Sequence, residues 1–172
     1  MNIRIINKKM VWPSFFSGWI MEIVVLNMCM IYNAKTKEVL VLDKPIKEGW
    51  EGLTFPGGHV EPVESIHDSV IREIKEETNL DISDVKLKGI VQWYDKSNDQ
   101  RLLSHLYYTE CFEGELIEDS CEGKLFWMDL QEFIEMENKS ASMDEMLDLY
   151  MGKCEEIVFY FNGKELEEVK YY

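Results

Sequence analysis

The sequence predicts an α/β protein, in which helices cover a mixed β-sheet on both sides as an α/β/α sandwich. Three observations support this fold class. From residue 22 onward, apolar runs of strand length alternate with helical patterns. Turn signals join several of these runs as hairpins. No repeat or low-complexity linker divides the 172 residues, a length that suits one domain with a substantial core.

The predicted elements begin with two strands at residues 22–32 and 37–43, joined by a turn over residues 33–36. A short strand at 53–55 leads into a sharp turn over residues 56–58, where two glycines permit close backbone approach. A helix then begins after Ser65, a good N-cap residue with Asp68 three residues on, and it runs to about Thr78.

The second half of the chain predicts further strands and two short helices. Residues 129–137 and 142–151 are helical in pattern, with Asp129 and Ser142 as N-caps. The strands are expected at residues 85–94, 101–112 and 124–128, and in a terminal hairpin of residues 155–161 and 164–170 that turns at Asn162 and Gly163.

The predicted helix over residues 65–78 carries an acidic strip beside its apolar strip. Glu73, Glu76 and Glu77 fall within an arc of about 100° on one face. Like charges at this spacing repel one another, so a compact chain that groups them favours a bound cation. Oxygen ligands suit a hard ion such as Mg²⁺. A solvated charged face is the alternative interpretation of these three residues alone.

The longer pattern is far more specific than the three acids. Gly58 is followed after five residues by Glu64 and after seven more by residues 72–80, which are Arg-Glu-Ile-Lys-Glu-Glu-Thr-Asn-Leu. This pattern resembles the Nudix box, G-x5-E-x7-R-E-U-x-E-E-x-G-U, where U is aliphatic. Only the last glycine differs, and it is Asn79 here. Asn is the usual second choice for a left-handed residue after a helix.

The resemblance implies the Nudix α/β/α sandwich and hydrolysis of a diphosphate bond with Mg²⁺, for which Mn²⁺ can substitute. The residues it implies as metal ligands are Gly58, Glu64, Glu73, Glu76, Glu77 and Glu122, the last from a later loop. The residues it implies for catalysis are Arg72, Glu73, Glu76, Glu77 and Glu122, with Arg72 orienting a carboxylate of the box. An exposed loop acid is the alternative interpretation of Glu122.

Features beyond the box are similar to the MutT-like branch, which hydrolyses nucleoside triphosphates, including 8-oxo-dGTP, to a monophosphate and pyrophosphate. The expected substrate-binding residues are Asn27, Thr54, Phe55, Gly57, Gly58, Trp93 and Trp127; core packing is the alternative for the aromatic and small polar members. Two further functions stay open. They are hydrolysis of another nucleoside diphosphate-linked compound, such as a nucleotide sugar or ADP-ribose, and nucleotide sensing without cleavage.

A net charge of −15 argues against nucleic-acid polymers and anionic membranes as partners. The expected partner is a small nucleotide, bound by a monomer or homodimer. Four cysteines without metal-binding spacing predict reduced thiols and a cytoplasmic protein. Residues 1–20 contain basic but no acidic residues and have interrupted apolar character, so we predict a dispensable extension before a domain at 21–172. The three histidines are expected to pack or lie at the surface.

Overall fold

The computed structural model describes residues 21–45 and 51–172. The predicted extension at residues 1–20 lies outside this part of the chain. The described elements are β1 Glu22–Asn33, β2 Glu38–Lys44, β3 Gly52–Thr54, α1 Ile66–Thr78, β4 Asp81–Ser83, β5 Lys86–Asp95, β6 Gln100–Thr109, β7 Cys111–Glu113, β8 Asp119–Ser120, β9 Gly123–Asp129, α2 Leu130–Glu135, α3 Met143–Tyr150, β10 Glu156–Asn162 and β11 Glu165–Tyr171.

A mixed sheet organises the described residues, in the order β11-β10-β5-β6-β1-β2-β9-β8, with β3 paired to β2. Two pairs are parallel, β1 with β6 and β10 with β5. The hairpins β5–β6 and β10–β11 are antiparallel, as predicted. The short strands β4 and β7 form a separate two-stranded sheet.

Helices cover both faces of the sheet, which confirms the α/β/α sandwich. On one face α1 buries Val70 and Ile74 against alternate residues of β1 and β2, including Cys29 and Leu40. On the other face α2 and α3 pack over a larger cluster that includes Phe55 and Trp93. Side chains of a strand alternate between the two faces, so each strand contributes to both clusters.

In the second half of the chain, one predicted strand end is wrong and one predicted helix cap differs in its bonding. The predicted strand 101–112 ends at Thr109, whose Oγ1 donates to the Ser83 carbonyl (2.6 Å) and accepts from Cys111 N–H (2.9 Å). These bonds redirect the chain into β7, which pairs with β4. Ser142 is the N-cap residue of α3, as predicted, but its side chain makes no capping bond. The residue is left-handed (φ 65°), and its hydroxyl accepts from Trp93 Nε1 (3.1 Å).

All four cysteines are free. In residues 21–45 and 51–172 no helix is both long and apolar enough to cross a bilayer.

Candidate functional site

Local sequence signals place α1 and its acidic strip. The hydroxyl of Ser65 accepts from Asp68 N–H (2.9 Å), which confirms the predicted N-cap. At the other end, Asn79 adopts the left-handed conformation (φ 63°) and donates its N–H to the Lys75 carbonyl (3.0 Å). The Asn79 amide also donates to the Glu115 carbonyl (2.9 Å), a bond that glycine could not make. Both ends of the helix are therefore fixed.

The glycine pair is packed too tightly for any side chain. A Cβ on Gly57 would lie 2.4 Å from the Asn27 carbonyl oxygen, and one on Gly58 would lie 2.6 Å from the Cδ and Oε2 of Glu73. The loop is joined to β1 by the bond from Asn27 N–H to the Gly58 carbonyl (2.9 Å). Glycine is therefore required here so that the loop can contact both β1 and the acidic strip of α1.

Arg72 organises three of the carboxylates. Its Nε and Nη2 donate to the two oxygens of Glu64 (3.1 and 2.7 Å), and its Nη1 donates to Glu73 (2.9 Å) and Glu76 (3.0 Å). Nη2 also donates to the His59 carbonyl (3.0 Å). The bond to Arg72 lowers the pKa of Glu64, and the same bond raises the pKa of Arg72. Arg72 thus ties the loop before α1 to the acidic strip.

Glu77 is the acid that the fold buries. Only 7% of the residue is exposed, and its Oε2 accepts from Gly57 N–H (3.0 Å). Burial raises the pKa of Glu77 to about 7, and the charges of Glu73 and Glu122 act in the same direction, against the Gly57 bond and the charge of Lys44. A cation beside Glu77 would relieve both the burial and the repulsion.

A cavity of about 440 Å³ begins at these acids and extends over the sheet. Its charged or titratable lining residues are Lys44, His59, Glu73, Glu77 and Glu122. The remaining lining residues are neutral: Val24, Leu26, Asn27, Met28, Thr54, Phe55, Gly57, Gly58, Trp93, Leu102, Ser104 and Ser140. Lys44 of β2 and Glu122 before β9 lie on one side of β1, whereas Ser104 of β6 and Trp93 of β5 lie on the other. We call these two parts of the cavity the ionic end and the neutral end.

Most of the predicted site residues line this cavity, and three charged residues among them do not. Glu73, Glu77 and Glu122 line the ionic end together with the glycine pair, whereas Arg72, Glu64 and Glu76 form the network described above. Asn27, Thr54, Phe55 and Trp93 also line the cavity. The amide of Asn27, however, donates to Ser69 Oγ on α1 (2.9 Å), so it faces away from the neutral end.

Trp127 is not brought to the cavity. Alternation along β9 turns its side chain to the face covered by α1, because Leu125 and Trp127 share one face while Phe126 and Met128 share the other. There the indole packs on Phe112, with ring centroids 5.0 Å apart. Core packing, the alternative interpretation of this residue, accounts for its position.

Lys44, Ser104 and Ser140 were not among the predicted site residues. Lys44 lies at the end of β2, and its Nζ is 3.8 Å from Glu122 Oε2, so it lines the ionic end. Ser104 lies within β6 and Ser140 between α2 and α3. None of the three belongs to a sequence motif. The alternation along β6 and the pairing of β1 with β6 are the signals that could have placed Ser104.

A divalent metal ion suits the donors at the ionic end, because they are carboxylate oxygens with excess negative charge. Within the described residues, no three acidic, histidine or cysteine side chains are placed as a ready-made metal site. Arg72 instead contacts the carboxylates of Glu64, Glu73 and Glu76. The buried Glu77, next to Glu73 and Glu122, is the strongest sign of a cation at this end.

Comparison with known proteins gives a family match over most of the described chain. The NUDIX domain model matches residues 24–150. Among curated proteins, the chain is 38% identical over 98 residues to "Uncharacterized Nudix hydrolase YvcI" of Bacillus subtilis (strain 168). The aligned region covers 55% of this chain and 60% of YvcI. The match thus spans less than two thirds of that relative.

Two further proteins point to the same family. The chain is 28% identical over 109 residues to a Bacillus subtilis protein named "Putative 8-oxo-dGTP diphosphatase YtkD", which covers 61% of this chain and 68% of YtkD. The crystal structure of the mMutator MutT protein from Bacillus halodurans superposes with a TM-score of 0.70 at 27% identity, covering 86% of this chain and 96% of that one. The sheet and helices described above are therefore those of a known fold.

Proposed function

Because the chain belongs to the NUDIX domain family, we propose that it is a Mg²⁺-dependent pyrophosphohydrolase that cleaves nucleoside triphosphates to a monophosphate and pyrophosphate. The observation that carries this proposal is the single cavity that joins crowded carboxylates at one end to a neutral end lined by Trp93 and small side chains. Phosphates with a bound cation suit the first end, and a base suits the second.

The acidic residues at the ionic end have different proposed roles. Glu73, Glu76 and Glu77 would hold the divalent ion, with the Gly58 backbone beside them and Glu64 positioned through Arg72. A bound divalent ion neutralises phosphate oxygens and lowers the pKa of water. Glu122 approaches the cavity from the turn between β8 and β9, where its carboxylate would accept a proton from water or add a ligand.

Lys44 supplies a positive charge for the phosphates. It is the one lysine or arginine that lines the cavity within the described residues. Its ion pair with Glu122, at 3.8 Å, is longer than a direct hydrogen bond. Lys44 can therefore turn from Glu122 toward a phosphate oxygen without losing a strong bond.

For the substrate we propose a purine nucleoside triphosphate, with 8-oxo-dGTP as the first compound to test and removal of oxidised nucleotides as the cellular role. Two similarities support it, namely the MutT-like features of the sequence and the name of the relative YtkD. We further propose that the protein acts in the cytoplasm as a monomer or homodimer, and that its substrates are small nucleotides only.

The proposal is tested by a product assay on dGTP, 8-oxo-dGTP, the other dNTPs, ADP-ribose and a diadenosine polyphosphate, each with and without Mg²⁺ or Mn²⁺. We expect Mg²⁺-dependent release of a monophosphate and pyrophosphate from a triphosphate. Cleavage of the diphosphate-linked compounds alone would retain the chemistry and discard the substrate. Binding with no turnover under either metal ion would show a nucleotide sensor instead.

Two variants of the proposed metal ligands and one control variant are tested in the same assay. Glu76→Gln and Glu77→Gln should each lower kcat by about 100-fold or more, since each removes a charge that the metal ion needs. Glu113→Gln, an exposed acid on β7, should leave kcat unchanged. Equal activity in all three variants would contradict the assignment of the acidic strip.

A further inference from the structure

The neutral end of the cavity lies across β1 from the ionic end. Leu26 of β1 is bridged to His59 in the glycine loop on one side and pairs with Ser104 of β6 on the other. Because neighbouring strands are about 4.8 Å apart, Ser104 lies about 10 Å across the sheet from that loop. Trp93 of β5 is one strand farther, opposite Leu102. This span separates the base of a nucleotide from its phosphates.

Two serines at the neutral end have hydroxyls that make no hydrogen bond within residues 21–45 and 51–172. Neither oxygen is among the unpaired atoms that are sealed from solvent in this part of the chain, so both are accessible from the cavity. Ser104 is 3% exposed and Ser140 is 6% exposed, and the hydrogen bonds of Ser140 use its backbone, with Leu53 and Met143. Their surroundings in the cavity are largely apolar. A hydroxyl that is open to a cavity and has no protein partner is available to bond to a ligand.

Three buried hydroxyls outside the cavity lining bond to backbone carbonyls. Ser69 Oγ donates to the Ile66 carbonyl (2.7 Å), Thr78 Oγ1 to the Ile74 carbonyl (2.5 Å) and Thr109 Oγ1 to the Ser83 carbonyl (2.6 Å). Tyr150 Oη, by contrast, is buried without a partner among the described residues and does not line the cavity. Ser104 and Ser140 differ from all four residues, because they line the cavity and their hydroxyls remain available to whatever it holds.

We propose that Ser104 and Ser140 form hydrogen bonds with the polar edge of the substrate's base and determine which bases the enzyme accepts. This inference rests on the proposed function. A hydroxyl can donate or accept, so each serine can face a keto oxygen, an amino group or a ring N–H. Among the described residues that line this end there is no charged side chain, so an uncharged group such as a base suits it.

Trp93 gives this end a rigid wall. Its indole is stacked on Phe159, with ring centroids 6.0 Å apart and an interplanar angle of 9°, and its Nε1 donates to Ser142 Oγ (3.1 Å). Ser142 belongs to the same connection between α2 and α3 as Ser140, so the wall and one of the free hydroxyls are fixed together. A rigid aromatic surface beside fixed hydroxyls suits a planar base.

The first test measures nucleoside binding without metal ion, using deoxyguanosine, 8-oxo-deoxyguanosine, deoxyadenosine and deoxycytidine. Ser104→Ala and Ser140→Ala should each weaken the tightest-bound nucleoside by about 3- to 10-fold, the effect of one neutral hydrogen bond. Their melting temperatures should stay within about 2–4 °C of that of the wild type, because neither hydroxyl bonds to the protein.

Thr109→Val is the matched control, since it removes a buried hydroxyl from β6 that is already bonded to Ser83. It should lower the melting temperature and leave every nucleoside Kd unchanged. The inference is refuted if the serine variants bind like the wild type, if they lose stability as Thr109→Val does, or if the wild type binds no nucleoside.

The second test separates this inference from the proposed function by comparing kcat/KM across the nucleotide panel. We expect the serine variants to change the ratio of kcat/KM between bases by about 3- to 10-fold. Wild-type ratios in active variants would overturn the role of the serines and leave the hydrolase intact. Serine-dependent nucleoside binding without cleavage of any triphosphate would overturn the hydrolase and leave the base site intact.

Discussion

Gly58→Ala should remove most of the activity without unfolding the protein. A Cβ at this position would lie 2.6 Å from both Cδ and Oε2 of Glu73. Non-bonded carbon atoms prefer about 3.5–4.0 Å, so the carboxylate must move by about 1 Å. A displacement of about 1 Å at a catalytic group can lower a rate about 100-fold. We therefore expect kcat/KM to fall about 100-fold on the best nucleotide of the panel.

The stability cost of Gly58→Ala should be small. The colliding atoms are the end of a flexible side chain, which can rotate at the expense of its bond to Arg72 (2.9 Å). Replacing glycine also restricts the unfolded chain, which stabilises the fold by about 0.4–1 kcal/mol. The two effects oppose each other, so Tm should stay within about 2–4 °C of the wild type.

Gly57→Ala is the control, because its Cβ would meet backbone atoms that cannot rotate away. The Asn27 carbonyl oxygen would lie at 2.4 Å and the Met28 Cα at 2.6 Å. Overpacking of this kind costs about 3 kcal/mol, which lowers Tm by about 6–12 °C. Calorimetry and kcat/KM on both variants decide the matter. A fully active Gly58→Ala, or a Gly57→Ala as stable as the wild type, would refute the reasoning.

Three further predictions concern α1. Glu77 has its pKa raised by burial from 4.5 to about 7, so the folded state binds more protons than the unfolded state between these values. Protonated Glu77 therefore stabilises the metal-free protein at low pH, and this part of its Tm should be lost as pH rises from 4.5 to 7. Glu77→Gln should remove this pH dependence. Identical pH profiles of Tm for the wild type and the variant would contradict the prediction. Arg72→Lys keeps the charge but loses the planar fork on Glu64, so kcat/KM should fall about 10-fold and Tm by about 2–4 °C, whereas unchanged kinetics would deny Arg72 its orienting role. Asn79→Ala should lower stability by about 1–2 kcal/mol in a thermal melt, because alanine disfavours the left-handed conformation, and Asn79→Gly should be milder; equal losses would argue against the conformational cause.

The acidic end of the site could be predicted from sequence because its residues share one helix and the loop before it. Fixed spacing on a helix determines which side chains are neighbours, so Glu73, Glu76 and Glu77 fall together whatever the rest of the fold does. Asn79 could be predicted as left-handed for the same local reason. The sandwich followed from strand and helix patterns that agree with one another.

The neutral end depends on contacts between distant segments, which periodicity alone does not specify. Ser104 reaches the cavity because β6 pairs in parallel with β1, and Ser140 because the connection between α2 and α3 bonds to Leu53. Trp127 was predicted to bind substrate but lies elsewhere, for the same reason. Its strand was predicted correctly, but which face it occupies depends on the register of β9 against β2.

The two ends of the cavity differ in chemistry, and each matches a part of one substrate. At the ionic end a carboxylate is buried beside two others, which is costly until a cation binds. At the neutral end two hydroxyls line the cavity without protein partners in the described chain, so a donor or acceptor of the ligand can bond to them. A triphosphate with its metal ion and its base occupies both ends together. The complete ligand should therefore stabilise the protein more than Mg²⁺ alone or the nucleoside alone. In a thermal melt, Mg²⁺ with a non-hydrolysable triphosphate should raise Tm by more than the sum of the rises caused by Mg²⁺ and by the nucleoside. A rise no greater than that sum would show that the two ends act independently.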